Sequence, residues 1–145
     1  MEESQLRRIF VLAICSLLAD APMAAISEPT LSFHPIIGKW TWTRSTNNCT
    51  EVYDFRPDGT LYVTSGAEIS TGEYLISGHK NANGFYELKG SPRSTNGAKD
   101  CSDSPPGGEP KPYTVYIIFH PTQPLHLVCQ TPALEQCFGP LKRVE

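Results

Sequence analysis

The clearest hydrophobic pattern in the chain is a pair of alternating runs separated by four turn-forming residues. Residues 50–55 place Glu51, Tyr53 and Phe55 on one face, and residues 60–65 place Leu61 and Val63 on one face. The intervening Arg-Pro-Asp-Gly sequence suits a tight turn, because proline presets φ and glycine accepts positive φ. The pattern therefore predicts a β-hairpin.

Six further segments with period-2 or continuous apolar character predict more strands, whereas no 3.6-residue apolar pattern is found after residue 27. With the hairpin they make eight predicted strands, at residues 36–43, 50–55, 60–65, 71–77, 84–89, 113–119, 125–130 and 137–144. Eight short strands with brief connections favour an all-β, eight-stranded antiparallel up-and-down barrel, since closure removes exposed sheet edges.

One connection is much longer than the others. Residues 91–112 contain five prolines and no aromatic or branched aliphatic residue. A loop of this length inside a small domain is usually functional or disordered. Because Cys101 lies in its middle, we expect a disulfide to hold it in place.

The first 27 residues have the pattern of a secretory signal peptide. Arg7 and Arg8 precede an apolar run over 9–19 that is too short to span a bilayer, and small residues follow. We therefore divide the chain into a signal peptide, 1–27, and one domain, 28–145. The residues around Cys15 match a lipoprotein box poorly. We therefore expect the protein to be periplasmic or secreted and to have no lipid anchor at Cys15.

The net charge of the chain restricts the kinds of molecule that it is expected to bind. The whole chain has a net charge of −3, and removal of three acidic and two basic residues with segment 1–27 leaves −2. There is no basic stripe, which argues against nucleic acid as a partner. We expect a monomer with no transmembrane segment in the mature chain.

Four cysteines remain after export, and an even number in an exported domain predicts disulfides. In an up-and-down barrel all four would lie at one end, the mouth, opposite the end where the first strand begins. The spacing allows Cys129 to pair with Cys137 across the last hairpin, which leaves Cys49 for Cys101. Pairing of Cys49 with Cys137 or Cys129 across the barrel seam is the alternative.

No catalytic template is present: the chain lacks Gly-x-Ser-x-Gly, His-Glu-x-x-His, a glycine-rich phosphate loop and Cys-x-x-Cys. We therefore expect no enzymatic activity, no cofactor and no metal. His126 alternates with apolar neighbours and is expected to face outward. A metal site made of His120, His126 and Cys129 is disfavoured, because His120 and Cys129 are at opposite ends of a strand.

The remaining candidate chemistry is aromatic. A cavity below the mouth would be lined by ring-bearing side chains, with Glu51 and Arg44 near its rim. The predicted ligand-binding set is Trp42, Glu51, Tyr53, Phe55, Tyr74 and Tyr116. The competing interpretation is that these side chains fill the interior, since eight-stranded barrels are only just wide enough to be packed shut.

Gly38-Lys39-Trp40 resembles the Gly-x-Trp signature of lipocalins, and Phe55-x-x-Asp58-Gly59-Thr60 is similar to a hairpin motif of small bacterial lipocalin-like proteins. The resemblance implies a calycin-type barrel in which Arg143 (or Lys142) stacks on Trp40 at the closed end. The family's Thr-Asp-Tyr motif and C-terminal helix are missing. Avidin-like barrels and bacterial protease inhibitors share the architecture, so the resemblance implies a fold and no particular ligand.

Two functions of different classes follow. The first is an exported, disulfide-stapled binding or cell-envelope accessory protein that holds a small apolar ligand. The second is a secreted interaction protein, such as a protease inhibitor. It would reach an extracytoplasmic partner through the 91–112 loop or through its leader, the segment between the signal peptide and the first strand.

Overall fold

The structure is a computed structural model that describes residues 31–102, 105 and 109–145. The signal peptide predicted at 1–27 lies outside the described residues. A short 3₁₀ helix, Leu31–Phe33, precedes the strands. The eight strands are β1 Gly38–Thr43, β2 Thr50–Phe55, β3 Thr60–Ser65, β4 Glu68–Ile76, β5 Tyr86–Thr95, β6 Tyr113–Phe119, β7 Leu125–Cys129 and β8 Cys137–Arg143.

The strands form one closed antiparallel barrel in the order β1 to β8, so each strand pairs with its neighbours in sequence. The predicted fold class is therefore confirmed. The hairpin of β2 and β3 pairs Phe55 with Leu61 across the turn, where Asp58 accepts a hydrogen bond from the Thr60 amide. Among the described residues, no helix is long and apolar enough to cross a membrane.

One end of the barrel, the closed end, is sealed where the chain enters β1. The Trp40 ring is 1% exposed, and its indole N–H donates to the Ile36 carbonyl at 2.7 Å. The Arg143 guanidinium lies 4.3 Å from the centre of that ring and donates to the carbonyls of Ile37 and Pro35. This is the contact that the lipocalin resemblance implies.

Gly38 makes this contact possible. Its φ is +121°, and a Cβ there would lie 2.5 Å from Nη1 of Arg143. Any other residue at this position would strain the backbone, and its Cβ would displace the guanidinium from its position over the Trp40 ring.

The buried core runs from the closed end into the middle of the barrel. Side chains from all eight strands and from the leader contribute to it; they are Ile36, Trp40, Phe55, Leu61, Tyr74, Leu88, Ile117, Val128 and Leu141. Each strand contributes one of these residues, and Ile36 precedes β1.

The fifth strand is longer than predicted, and the long loop is correspondingly shorter. β5 continues to Thr95, where the sequence pattern ended the strand at residue 89 and began the loop at 91. The extension is polar but it pairs with β4, where Thr71 Oγ1 and Ser94 Oγ are 2.6 Å apart. Period-2 hydrophobicity cannot reveal a strand whose two faces are both polar at that point.

The orientation predicted for His126 is wrong. The side chain is 1% exposed and packs edge-on against Trp40, with ring centres 4.3 Å apart, and beside Phe119. His126 shares its face with Val128, which is in the core, so the strand register carries the imidazole inward. Neither imidazole nitrogen has a hydrogen-bond partner among the described residues.

Two disulfides are present, Cys49–Cys101 and Cys129–Cys137, as the local-pairing interpretation predicted. The strand directions place both at the mouth, the end opposite Trp40. Disulfides persist in oxidising environments and are rare in the cytosol, so they indicate a non-cytoplasmic location.

We expect Trp40→Ala to lower the free energy of unfolding by about 3–5 kcal/mol, because it removes a fully buried aromatic side chain. Urea denaturation measures the loss. Leu75→Ala is the control: this side chain is 70% exposed and its removal should cost no more than about 0.5 kcal/mol. Equal losses in the two variants would contradict the assigned role of Trp40.

We expect the two disulfides to differ in their contribution to stability. The bridges join residues 52 and 8 positions apart, and a longer cross-linked loop restricts the unfolded chain more. Replacing Cys49 and Cys101 by alanine should therefore cost about 1.5–2 kcal/mol more than replacing Cys129 and Cys137. Denaturant titration of the two double variants is the test, and a larger loss from the second pair would contradict this account.

We expect His126 to make the fold sensitive to mild acid. Burial, and then the charge of Arg143, lower the pKa of His126 from 6.5 to about 3. Between these values the unfolded chain binds a proton that the folded protein does not, so stability falls as pH falls below 6.5.

The free energy of unfolding falls between pH 6.5 and 5, and in His126→Leu this fall should be about 1.5 kcal/mol smaller. Most carboxyl groups titrate below this pH range. Thermal unfolding across this range measures it. His34, whose pKa is also lowered by burial, leaves a residual slope. His79→Gln, at an exposed loop position, is the control. An unchanged acid dependence in His126→Leu would show that this imidazole does not carry the effect.

Candidate functional site

The barrel contains a cavity of about 310 Å³ in the half that lies toward the mouth. This volume is at the lower end of the range for small-molecule sites. Most of its wall is aromatic or aliphatic. The lining residues are Tyr53, Phe55, Leu61, Val63, Ser70, Thr71, Gly72, Glu73, Leu88, Ser91, Pro92, Tyr113, Val115, Ile117, Val128, Phe138 and Leu141.

Two glycines on β4 and β5 allow close approach of neighbouring groups in the cavity wall. Gly72 is buried like Tyr74 on β4, and a Cβ there would lie 2.8 Å from the Ser91 carbonyl oxygen and 3.1 Å from Pro92 Cα, so the absence of a side chain lets β5 approach. Gly90 lies beneath the ring of Tyr113, which would overlap any Cβ at that position. The Tyr113 side chain therefore packs on Gly90 and lines the cavity, with 41% of the residue still exposed.

The β4–β5 wall is also irregular. The pairing register shifts between Thr71 and Gly72, and Pro92, which has no amide hydrogen to donate, pairs with Gly72 at this point. On the outer side, Arg93 Nη2 is 2.5 Å from the Glu73 carboxylate and joins the two strands across the shift. Polar atoms of the wall are concentrated here.

A buried polar network lies next to the mouth side of the cavity. Glu51, which is 8% exposed, accepts hydrogen bonds from the Tyr53 hydroxyl at 2.5 Å and from Ser65 Oγ at 3.1 Å. Ser65 Oγ in turn accepts from the backbone amide of Cys101 at 3.0 Å. The disulfide-anchored loop is thus connected to a cavity-lining tyrosine through two side chains.

The charge of Glu51 is balanced by Arg44, whose Nε lies 3.9 Å from a carboxylate oxygen. Burial raises the pKa of Tyr53 above its usual value, and Glu51 adds to this rise, with a smaller contribution from Tyr113. Tyr53 therefore stays a neutral phenol that donates to Glu51 and keeps its oxygen lone pairs available.

The first part of the long loop packs on this end of the barrel. Asn96 bonds the backbone of Ile69 and Ala67, and Asn47 Nδ2 donates to the Cys101 carbonyl at 3.1 Å. Hydrogen bonds therefore hold residues 96–102 against the barrel at the rim of the mouth.

The structure distributes the predicted ligand-binding residues over several environments. Tyr53 and Phe55 line the cavity. Tyr74 is buried against Phe55 in the core, with its hydroxyl donating to the Arg56 carbonyl. Glu51 does not line the cavity, but it accepts a hydrogen bond from Tyr53, which does.

The other two predicted residues do not line the cavity. Trp42 packs against Phe138, with ring centres 5.0 Å apart. Tyr116 lies between the cavity-lining residues Val115 and Ile117, and so belongs to the other face of β6.

Sequence reasoning missed the residues that shape the cavity. The alternation in β4 places Gly72 on the face shared by Tyr74, but it does not reveal the close approach of β5 that a Cβ at this position would block. Tyr113 was included in a strand but not in the site, because the loop before it obscured which residues reach the mouth.

Within residues 31–102, 105 and 109–145, no three His, Cys, Asp or Glu side chains converge as a metal site requires. Comparisons with protein-family models, curated proteins and solved structures found no match to this chain. The fold and site therefore define it by structure: an eight-stranded, disulfide-stabilised barrel, compatible with a lipocalin-like fold, that contains an internal cavity.

Proposed function

We propose that this protein is an exported binding protein that holds a small apolar molecule inside its barrel. The observation that carries the proposal is the internal cavity of about 310 Å³, whose wall is mostly aromatic and aliphatic. An apolar molecule that enters such a cavity removes its own surface and the wall from water, which favours binding.

The mouth is built in a way that suits this role. Cys49–Cys101 ties the long loop to the chain just before β2, and Cys129–Cys137 joins β7 to β8. A rigid rim keeps the cavity open without a ligand and reduces the ordering cost of binding. Because the wall is mostly apolar, we propose binding rather than catalysis, and a monomer is sufficient to form the whole site.

The rival function, a protease inhibitor or other interaction protein, stays a prediction. It depends on the leader and on residues 91–112, parts of which lie outside the described residues. No contact in the described part of the loop favours it over ligand binding.

The test is titration with the neutral fluorescent probe N-phenyl-1-naphthylamine. We expect saturable binding by the unaltered protein and at least tenfold weaker binding by Val115→Phe, whose ring would occupy the cavity. Thr114→Phe is the matched control, because it adds the same ring at the next residue of β6, which is exposed.

Unfolding midpoints of both variants establish that they are folded. The proposal would be overturned by a lack of saturable binding to the unaltered protein. It would also be overturned if Val115→Phe bound the probe as well as Thr114→Phe does.

A further inference from the structure

The cavity has a polar end, and its composition restricts the chemical class of ligand. Tyr53 and Tyr113 both line the cavity, and Glu51 lies behind Tyr53. The following inference deepens the proposed function and rests on it.

The two acidic residues near the cavity, Glu51 behind Tyr53 and Glu73 with its carboxylate on the outer side of the wall, already have cationic partners. Glu51 lies 3.9 Å from Arg44, and Glu73 lies 2.5 Å from Arg93. No lysine or arginine of the described residues lines the cavity itself. An anionic ligand would therefore find no unpaired cation, and a cationic ligand would find no unpaired carboxylate, while either would lose its hydration.

The phenols can bond to a neutral polar group. The Tyr53 proton is donated to Glu51, so its oxygen can still accept a hydrogen bond. The Tyr113 hydroxyl has no hydrogen-bond partner among the described residues, so it can donate or accept. A ligand hydroxyl, which both donates and accepts, could bond to the two tyrosines at once.

We propose that the ligand is an uncharged, mainly apolar molecule with an alcohol group, whose hydroxyl bonds to Tyr53 and Tyr113 while its hydrocarbon part fills the cavity. Ser70, Thr71 and Ser91, the other small polar residues of the wall, are also neutral hydrogen-bonding groups. The site thus combines an apolar volume with uncharged partners for the polar end of the ligand.

The experiment is displacement of N-phenyl-1-naphthylamine at pH 7 by three probes of equal chain length: 1-decanol, decanoate and decylammonium. All are used below the concentrations at which they aggregate. We expect 1-decanol to displace the dye at a concentration at least tenfold lower than either charged probe. Equal potency, or a preference for a charged probe, would overturn the inference.

Tyr113→Phe tests the hydrogen bond directly, since it removes the hydroxyl and keeps the ring that lies against Gly90. It should weaken 1-decanol binding about three- to tenfold more than it weakens dye binding, the range of one neutral hydrogen bond. Tyr62→Phe, which removes a phenol from β3 outside the cavity lining, is the matched control and should leave both affinities unchanged.

An unchanged affinity of Tyr113→Phe for 1-decanol would show that Tyr113 does not hold the alcohol. The outcome also separates the two proposals. If the unaltered protein binds the dye but does not prefer 1-decanol, the ligand class is wrong and the proposed binding function stands. If it binds no dye, the binding function itself fails.

Discussion

Closure of the barrel depends on the contact between Arg143 and Trp40. The seam between β1 and β8 has only two registered residue pairs, Trp40 with Arg143 and Thr41 with Lys142. The guanidinium adds a cation–π contact with the indole and two hydrogen bonds to leader carbonyls. It thereby joins the last strand, the first strand and the leader at one point, and the absence of a side chain at Gly38 leaves room for it.

This contact makes the two ends of the molecule different. The closed end is filled by the leader and by aromatic rings in edge-on and tilted contacts, including an imidazole, His126, that burial keeps neutral. The mouth is held together by two disulfides and by the loop that one of them anchors, and the interior beneath it is partly empty. Packing thus stabilises one half of the barrel, and disulfides cross-link the other half, whose interior is partly empty.

The wall of the cavity depends on local composition. Eight-stranded barrels have interiors that side chains can fill completely. Here Gly72 allows the close approach of β5 at the irregular pairing, and Gly90 leaves room for the Tyr113 side chain in the wall. The polar network of Glu51, Tyr53 and Ser65 then connects this space to the backbone of the disulfide-bonded loop.

The sequence alone determined the number of strands, the hairpin turn, the single end that bears the cysteines and the place of Tyr53 and Phe55 among inward residues. These follow from period-2 alternation and turn chemistry, which are local properties. The inward position of His126, the polar extension of β5 and the cavity itself were decided only by the tertiary structure. Each depends on the register between strands and on which side chains meet across the barrel, and neither is encoded in the periodicity of one segment.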